Sequence, residues 1–315
     1  MKENKIKVGI IQHSSVHQNL AASVEKLTTL LEQAARQDLQ MVVVGEGWLS
    51  GYPVWFDYVP EAALWNHLPT KKLYARFREN SVVIDGAEME HICALAKKHQ
   101  LVLSLGMNER VEKGVGVGSV YNSLVLIDAN GIIVNHHRKL VPTFTEKLVH
   151  AHGDAAGLKA EDTKVGKVGG LICWEHWMPL NRQALHNDAE QIHVAMWPNV
   201  HEMHQVASRQ YAFEGRCFVL AAGQMLKAKD LPEELTLPEN LATNPEQYIL
   251  RGGSCIIAPD GRYIVPPVFD KEEIVTAEID LQEMYYEKMT LDTSGHYYRP
   301  DIFSFSVNRN RPSFE

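Results

Sequence analysis

Apolar runs bounded by turn residues alternate along the chain with stretches of helical periodicity. Ile6-Lys7-Val8-Gly9-Ile10-Ile11 predicts an opening strand interior to a sheet. Leu20, Val24, Leu27, Leu30, Leu31 and Ala34 recur at helical spacing and predict an amphipathic helix over Leu20 to Ala35. Met41-Val42-Val43-Val44 predicts a strand that ends in Gly45-Glu46-Gly47. A helix around Glu88 to His99 and a strand from Leu101 to Leu105 repeat the alternation. Asp128-Ala129-Asn130-Gly131 sits between two apolar runs, Tyr121 to Ile127 and Ile132 to His136, and predicts a hairpin. Gly169 to Ile172 reads as a short buried strand, and Pro179 opens a helix to His186. A strand from Ile192 to Pro198, a helix from Met203 to Glu214 and a strand from Phe218 to Ala222 follow. Pro259-Asp260-Gly261 predicts a second hairpin, Ile274 to Ile279 a last strand, and Tyr286 to Glu315 an extended tail. Trp55 to Asn80 has little period and predicts loops and short helices; Leu231 to Gln247, rich in proline and acid, predicts a surface excursion. With no fixed-period repeat and no clean linker, the pattern is one α/β domain.

Composition narrows the class. The 315 residues are 45% apolar and 22% charged, as in a globular protein with a substantial core. A net charge of −8 argues against nucleic acid or an anionic membrane surface as the main partner. No run approaches the roughly 18 apolar residues that span a bilayer. Met1 to Lys5 leads straight into a strand and does not read as a signal peptide. Cys93, Cys173, Cys217 and Cys255 have neither paired nor metal-type spacing, so a reduced, cytoplasmic setting is expected.

Three strand ends carry chemistry. Glu46 is a carboxylate between glycines, either a surface charge or a site residue. Lys139 closes the basic cluster His136-His137-Arg138-Lys139, either a solvated face or a side chain turned inward ahead of Leu140-Val141-Pro142. Cys173 ends a strand just before a helix, where α/β sheets put reactive groups, though free cysteine is also a common buried hydrophobe. His201-Glu202-Met203-His204 is one residue short of the zinc-binding His-Glu-x-x-His helix, so helix entry or pocket lining is the expected role. The glycines of Gly114 to Gly118 neither follow a strand nor open a helix and do not read as a phosphate loop.

The order Glu46, Lys139, Cys173 resembles the carbon–nitrogen hydrolase superfamily, and within it the nitrilase branch. The matching segments are Glu46 with Gly51-Tyr52-Pro53, Arg138-Lys139-Leu140-x-Pro142-Thr143-x-x-Glu146, Cys173-Trp174-Glu175-His176 with Pro179-Leu180, Tyr211 to Leu220, and Gly295-His296-Tyr297-x-Arg299-Pro300-Asp301. The resemblance implies a four-layer αββα sandwich over residues 1–285, with residues 286–315 as a tail packing on the domain or on a partner subunit. It implies a nitrilase that forms carboxylic acid and ammonia through a thioimidate and a thioester. Cys173 would be the nucleophile, Glu46 the general base and Lys139 the stabilising cation; Glu146 would be a second carboxylate, or else an ion pair with Lys147 or Arg138. The expected substrate-binding residues are Tyr52, Trp174 and Trp197. The expected partners are a small nitrile and further copies of the chain, as a homodimer or larger homo-oligomer, with no cofactor or metal. Cyanide-degrading and amidase activities share this chemistry, and Trp174 after the cysteine disfavours the amidase. Ser50, Phe144 and His150-Ala151 depart from the usual pattern, which concerns substrate preference. A catalytically dead scaffold would have lost one of the three chemical groups, and none is lost.

Overall fold

The computed structural model describes residues 5–114 and 116–311; Met1 to Asn4, Val115 of the glycine loop and the last four tail residues lie outside the described residues. In chain order the elements are β1 (Lys5–Gln12), α1 (Leu20–Arg36), β2 (Met41–Leu49), α2 (Trp55–Tyr58), α3 (Leu68–Glu79), α4 (Ala87–His99), β3 (Val102–Arg110), β4 (Val120–Ile127) and β5 (Ile133–Arg138). Then come β6 (Glu161–Thr163), β7 (Gly166–Ile172), α5 (Pro179–Asn187), β8 (Ile192–Met196), α6 (Glu202–Gly215), β9 (Phe218–Ala222) and β10 (Met225–Lys227). The last are α7 (Glu239–Ala242), β11 (Tyr248–Ile257), β12 (Tyr263–Phe269), β13 (Glu273–Asp280) and α8 (Gln282–Glu287).

Two sheets form, ordered β13-β1-β2-β3-β4-β5 and β10-β11-β9-β8-β7-β6, with β12 on β11. Each has a parallel centre, β1-β2-β3 or β7-β8-β9, flanked by antiparallel strands. Such central strands are covered on both faces, which is why they read as unbroken apolar runs. In β2, Met41 and Val43 join the core between the sheets, while Val42 and Val44 face α1 and α4. The stripe Leu20, Leu27, Leu30, Leu31 and Ala34 buries α1 on that outer face. Each buried leucine there contributes roughly 1.5–3 kcal/mol of transfer free energy. Asn19 starts the helix by accepting from the Ala22 N–H at 3.1 Å. On the other sheet α5 and α6 contribute Ala184, Leu185, Ala207 and Ala212 to the core. The layers are therefore αββα.

Two expectations change, and the tail differs only in where it starts. The second strand does not end at Val44 but continues to Leu49. Between the pairs Val44–Leu105 and Leu49–Met107, residues Gly45 to Trp48 stand against Gly106 alone. A Cβ on Gly106 would collide with the Gly45 carbonyl, so only glycine lets this bulge close. The acidic segment 231–247 is not merely a surface excursion, because Leu231, Leu235 and Leu241 are buried with Tyr52, Trp55 and Phe77 in a third apolar cluster. The tail segment starts inside α8 and ends as a strap: Phe305 and Val307 pack on the core, and Arg309 donates to the Leu158 carbonyl at 3.0 Å and to Asp188 at 2.9 Å. Arg311 donates to Asp154 at 2.8 Å and to the His136 carbonyl at 2.9 Å. Among the described residues no helix is long and apolar enough to cross a membrane.

Candidate active site

The bulge in β2 turns the Glu46 side chain into the protein, where it is fully buried. Lys139 follows β5, held by its backbone N–H on the Asn122 carbonyl at 2.8 Å. Cys173 follows β7 as the first residue of a 3-10 turn, with φ +52°. A non-glycine residue in that left-handed region costs roughly 1–3 kcal/mol, and such strain clusters at functional sites. Lys139 Nζ donates to Glu46 Oε1 at 2.9 Å and to Glu146 Oε1 and Oε2 at 2.7 and 2.8 Å. A carboxylate oxygen of Glu46, one of Glu146 and the Cys173 sulfur all lie within 4.8 Å of one another. The structure thus brings together all four residues expected in the chemistry. Glu146 pairs with Lys139 rather than with Lys147 or Arg138.

The two carboxylates are not equivalent. Glu146 accepts also from the Tyr52 hydroxyl at 2.6 Å and the Thr143 N–H at 3.1 Å. Burial works to raise its pKa, but Lys139, His150 and Tyr52 outweigh this and hold it below the usual carboxylate range. Glu46 accepts from Lys139 and from Asn122 Nδ2 at 2.7 Å, both at Oε1, while Oε2 has no partner among the described residues. Burial therefore dominates and pushes Glu46 up to about 7, against the pull of Lys139. Burial and Glu46 also push the Cys173 thiol well above its ordinary value, with Lys139 opposing. Burial acts to lower Lys139, and Glu46, Cys173 and Glu146 overcome it. At rest the site therefore holds a neutral thiol beside a poised carboxyl and a firmly charged ammonium.

A carboxylate from the cysteine motif ties the two sheets at this point. Glu175 Oε1 accepts from the Leu140 N–H at 2.8 Å, Oε2 from the Ile172 N–H at 2.8 Å, and His137 Nε2 meets Oε2 at 2.9 Å. It thereby fixes the neighbours of Lys139 and of Cys173 to one anchor. Asn108 supports the loop after Glu46 through the Gly51 carbonyl at 2.8 Å and accepts from His150 at 3.0 Å. Gln224 donates to the Glu46 carbonyl. Sequence reasoning singled out neither Asn108, Asn122 nor Gln224. Their signal is a polar residue within or beside a buried strand, which must find a partner.

The aromatic expectations divide. Tyr52 is buried and belongs to the site through Glu146. Trp174 is 44% exposed next to Cys173, its ring 5.8 Å from that of His204. Trp197 is fully buried, donates to Ser208 at 3.2 Å and stacks on His176 at 4.5 Å, so the structure gives it a packing role. Phe144 is exposed. His201 precedes α6, where its N–H donates to His204 Nδ1 at 3.1 Å, a helix-entry role. Glu46, Glu146 and Cys173 form a donor set of the kind that holds metal ions, but the Lys139 ammonium already sits between the two carboxylates as their cation.

The profile of the family described as carbon–nitrogen hydrolase matches residues 7–286. The chain is 37% identical over 307 residues to "Nitrilase 2" from an unknown prokaryotic organism, covering 97% of this chain and 93% of that protein. It is 34% identical over 310 residues to "Nitrilase, arylacetone-specific" from Alcaligenes faecalis, covering 94% and 83%. Its fold is similar to that of a carbon–nitrogen hydrolase from Helicobacter pylori, with TM-score 0.66, 22% identity and coverage of 96% and 97%.

Proposed function

The chain belongs to the carbon–nitrogen hydrolase family and is a hydrolase, and from that premise we propose that it hydrolyses an organic nitrile to the carboxylic acid and ammonia. Glu46 Oε2 takes the thiol proton as the Cys173 sulfur bonds to the nitrile carbon and passes that proton to the nitrile nitrogen, which gives a thioimidate and leaves Glu46 ionised again. Water, deprotonated by Glu46, then adds to that carbon. Departure of ammonia leaves a thioester, and a second water releases the acid and restores the thiol. Lys139 stabilises the negative charge that forms at each addition. Glu146, with Tyr52, holds the ammonium in place. The observation that carries this reading is a buried glutamate with one bare oxygen close to the Cys173 sulfur, with a lysine shared between two carboxylates. The curated relatives named nitrilases support the same substrate class.

The test is ammonia release from a panel of aliphatic, aromatic and arylaceto nitriles, cyanide and the matching amides. The reading expects turnover of at least one organic nitrile at a higher kcat/KM than its amide. Turnover of amides alone, or of cyanide alone, would replace it with the corresponding member of the same chemistry.

A further inference from the structure

A second line of buried polar groups leads away from the cysteine and takes no part in the chemistry above. His176 Nδ1 meets the Cys173 carbonyl at 2.8 Å, and His176 Nε2 meets His193 Nε2 at 2.9 Å. His193 Nδ1 meets Glu190 Oε1 at 2.8 Å, and the Tyr211 hydroxyl donates to Glu190 Oε2 at 2.6 Å. All four residues are buried. The rings are clamped as well, Trp197 stacking on His176 at 4.5 Å and Tyr211 on His193 at 3.6 Å. A Cβ on Gly169 would collide with Glu190 Oε1, so a glycine in the cysteine strand leaves the room this carboxyl occupies.

One end of the line dictates the rest. The Cys173 carbonyl can only accept, so His176 carries its hydrogen on Nδ1. A neutral His176 then offers a lone pair at Nε2, and His193 donates to it from its own Nε2. His193 Nδ1 is left as an acceptor, which calls for a proton on Glu190 Oε1. Burial favours this uncharged arrangement: it pushes Glu190 well above the carboxylate range and both histidines well below theirs. The carbonyl of Cys173 and the N–H of Trp174 belong to one planar trans peptide and point in opposite directions. With the carbonyl held by His176, the Trp174 N–H is directed at the Cys173 sulfur.

We propose that Tyr211, Glu190, His193 and His176 form a one-way hydrogen-bond chain that locks the Cys173–Trp174 peptide, so that the Trp174 N–H serves the negative charge developing on the substrate beside the sulfur. The four are positioning residues; none touches the substrate. This deepens the reaction proposed above and rests on it through Cys173 as the nucleophile.

The experiment compares conservative with disruptive variants of the full chain, using kcat and KM separately and thermal melts as the check on folding. Glu190→Gln keeps the direction of the chain, since an amide can donate to His193 and accept from Tyr211. It is expected to retain kcat within about threefold, whereas Glu190→Leu and His176→Phe lower kcat by about 10²–10³-fold, the range for losing one oxyanion donor, with KM little changed. Wild-type kcat in folded Glu190→Leu or His176→Phe overturns the proposal. So does a Glu190→Gln variant that loses kcat while it melts like wild type, and that comparison decides the matter if the disruptive variants do not fold. If the wild type hydrolyses only amides, the nitrile reading fails and the variants are ranked on the amide instead.

Discussion

Arg138 and Lys139 are neighbours in the chain, yet they serve two buried carboxylates of opposite character. Glu109 accepts from Arg138 at both oxygens, and its Oε2 also from Ser123 at 2.6 Å and from His136 at 2.6 Å. Burial raises its pKa, but His136 and Arg138 outweigh that and bring it to about 2. Glu46 has one oxygen occupied and one bare, and stands at about 7. Burial alone therefore does not set the outcome: cations that fill its acceptors hold Glu109 down, while burial with one acceptor unfilled leaves Glu46 up. The cations differ to match. The planar guanidinium saturates a carboxylate in a fixed geometry, while the compact ammonium is shared between two carboxylates.

The comparison can be broken first at the thiol. Cys173→Ala should lower turnover by at least about 10⁴-fold with the melting temperature nearly unchanged, since only a small side chain is removed. Cys217→Ala and Cys255→Ala should stay active, because both thiols are buried outside the site. A folded but equally inactive Cys217→Ala would move the nucleophile. The next largest effect separates the two acids. Glu46→Gln should cost about 10²–10⁴ in kcat with a modest change in stability, the usual range for a general base. Glu109→Gln should leave kcat per folded molecule near wild type but lower stability by about 3–5 kcal/mol, because it breaks a buried ion pair. Denaturant melts beside initial rates would show whether the two effects separate.

Exchanging the cations sharpens the point. Lys139→Arg should be nearly as inactive as Lys139→Ala, since a guanidinium does not fit between Glu46 and Glu146. Arg138→Lys should keep turnover and lose only stability; a Lys139→Arg enzyme near wild-type kcat would reduce Lys139 to a general source of positive charge. The smallest effect is in pH. As the proposed base Glu46 works ionised, so kcat/KM should fall by about tenfold per unit as pH drops below about 7 and level off above it. Glu109 is depressed on folding, so the stability it provides is complete above its ordinary 4.5 and is lost as pH falls from there through about 2. Rate profiles and acid melts of wild type should show two distinct pH windows, and Glu109→Gln should flatten only the lower one.

The residues brought together in the candidate site were legible because they stand at strand ends in short motifs: Glu46 between glycines, Lys139 before Leu140 and Pro142, Cys173 before the Pro179 helix. The central strands were legible as apolar runs for the same local reason. What escaped is what depends on distant partners. His193 lies inside the buried strand Ile192–Met196 and looks like a tolerated exception until Glu190 and His176 are placed around it. Glu175 reads as one letter of a motif, and its bonds to Leu140 and His137 cross between sheets. The bulge at Gly45 to Trp48 looks like a strand end because glycines mark both cases, and only the register against Gly106 tells them apart. In the segment 231–247 the prolines and acids hid leucines spaced to anchor it.

Glu46 and Lys139 belong to one sheet and Cys173 to the other, and Glu175 spans the seam. Either sheet alone would carry an acid and an amine without the sulfur, or the sulfur without the acid and the amine. On the proposed chemistry the activity is a property of docking, and a heated or mutated enzyme whose sheets slip by an ångström would fall silent while its secondary structure still looked intact.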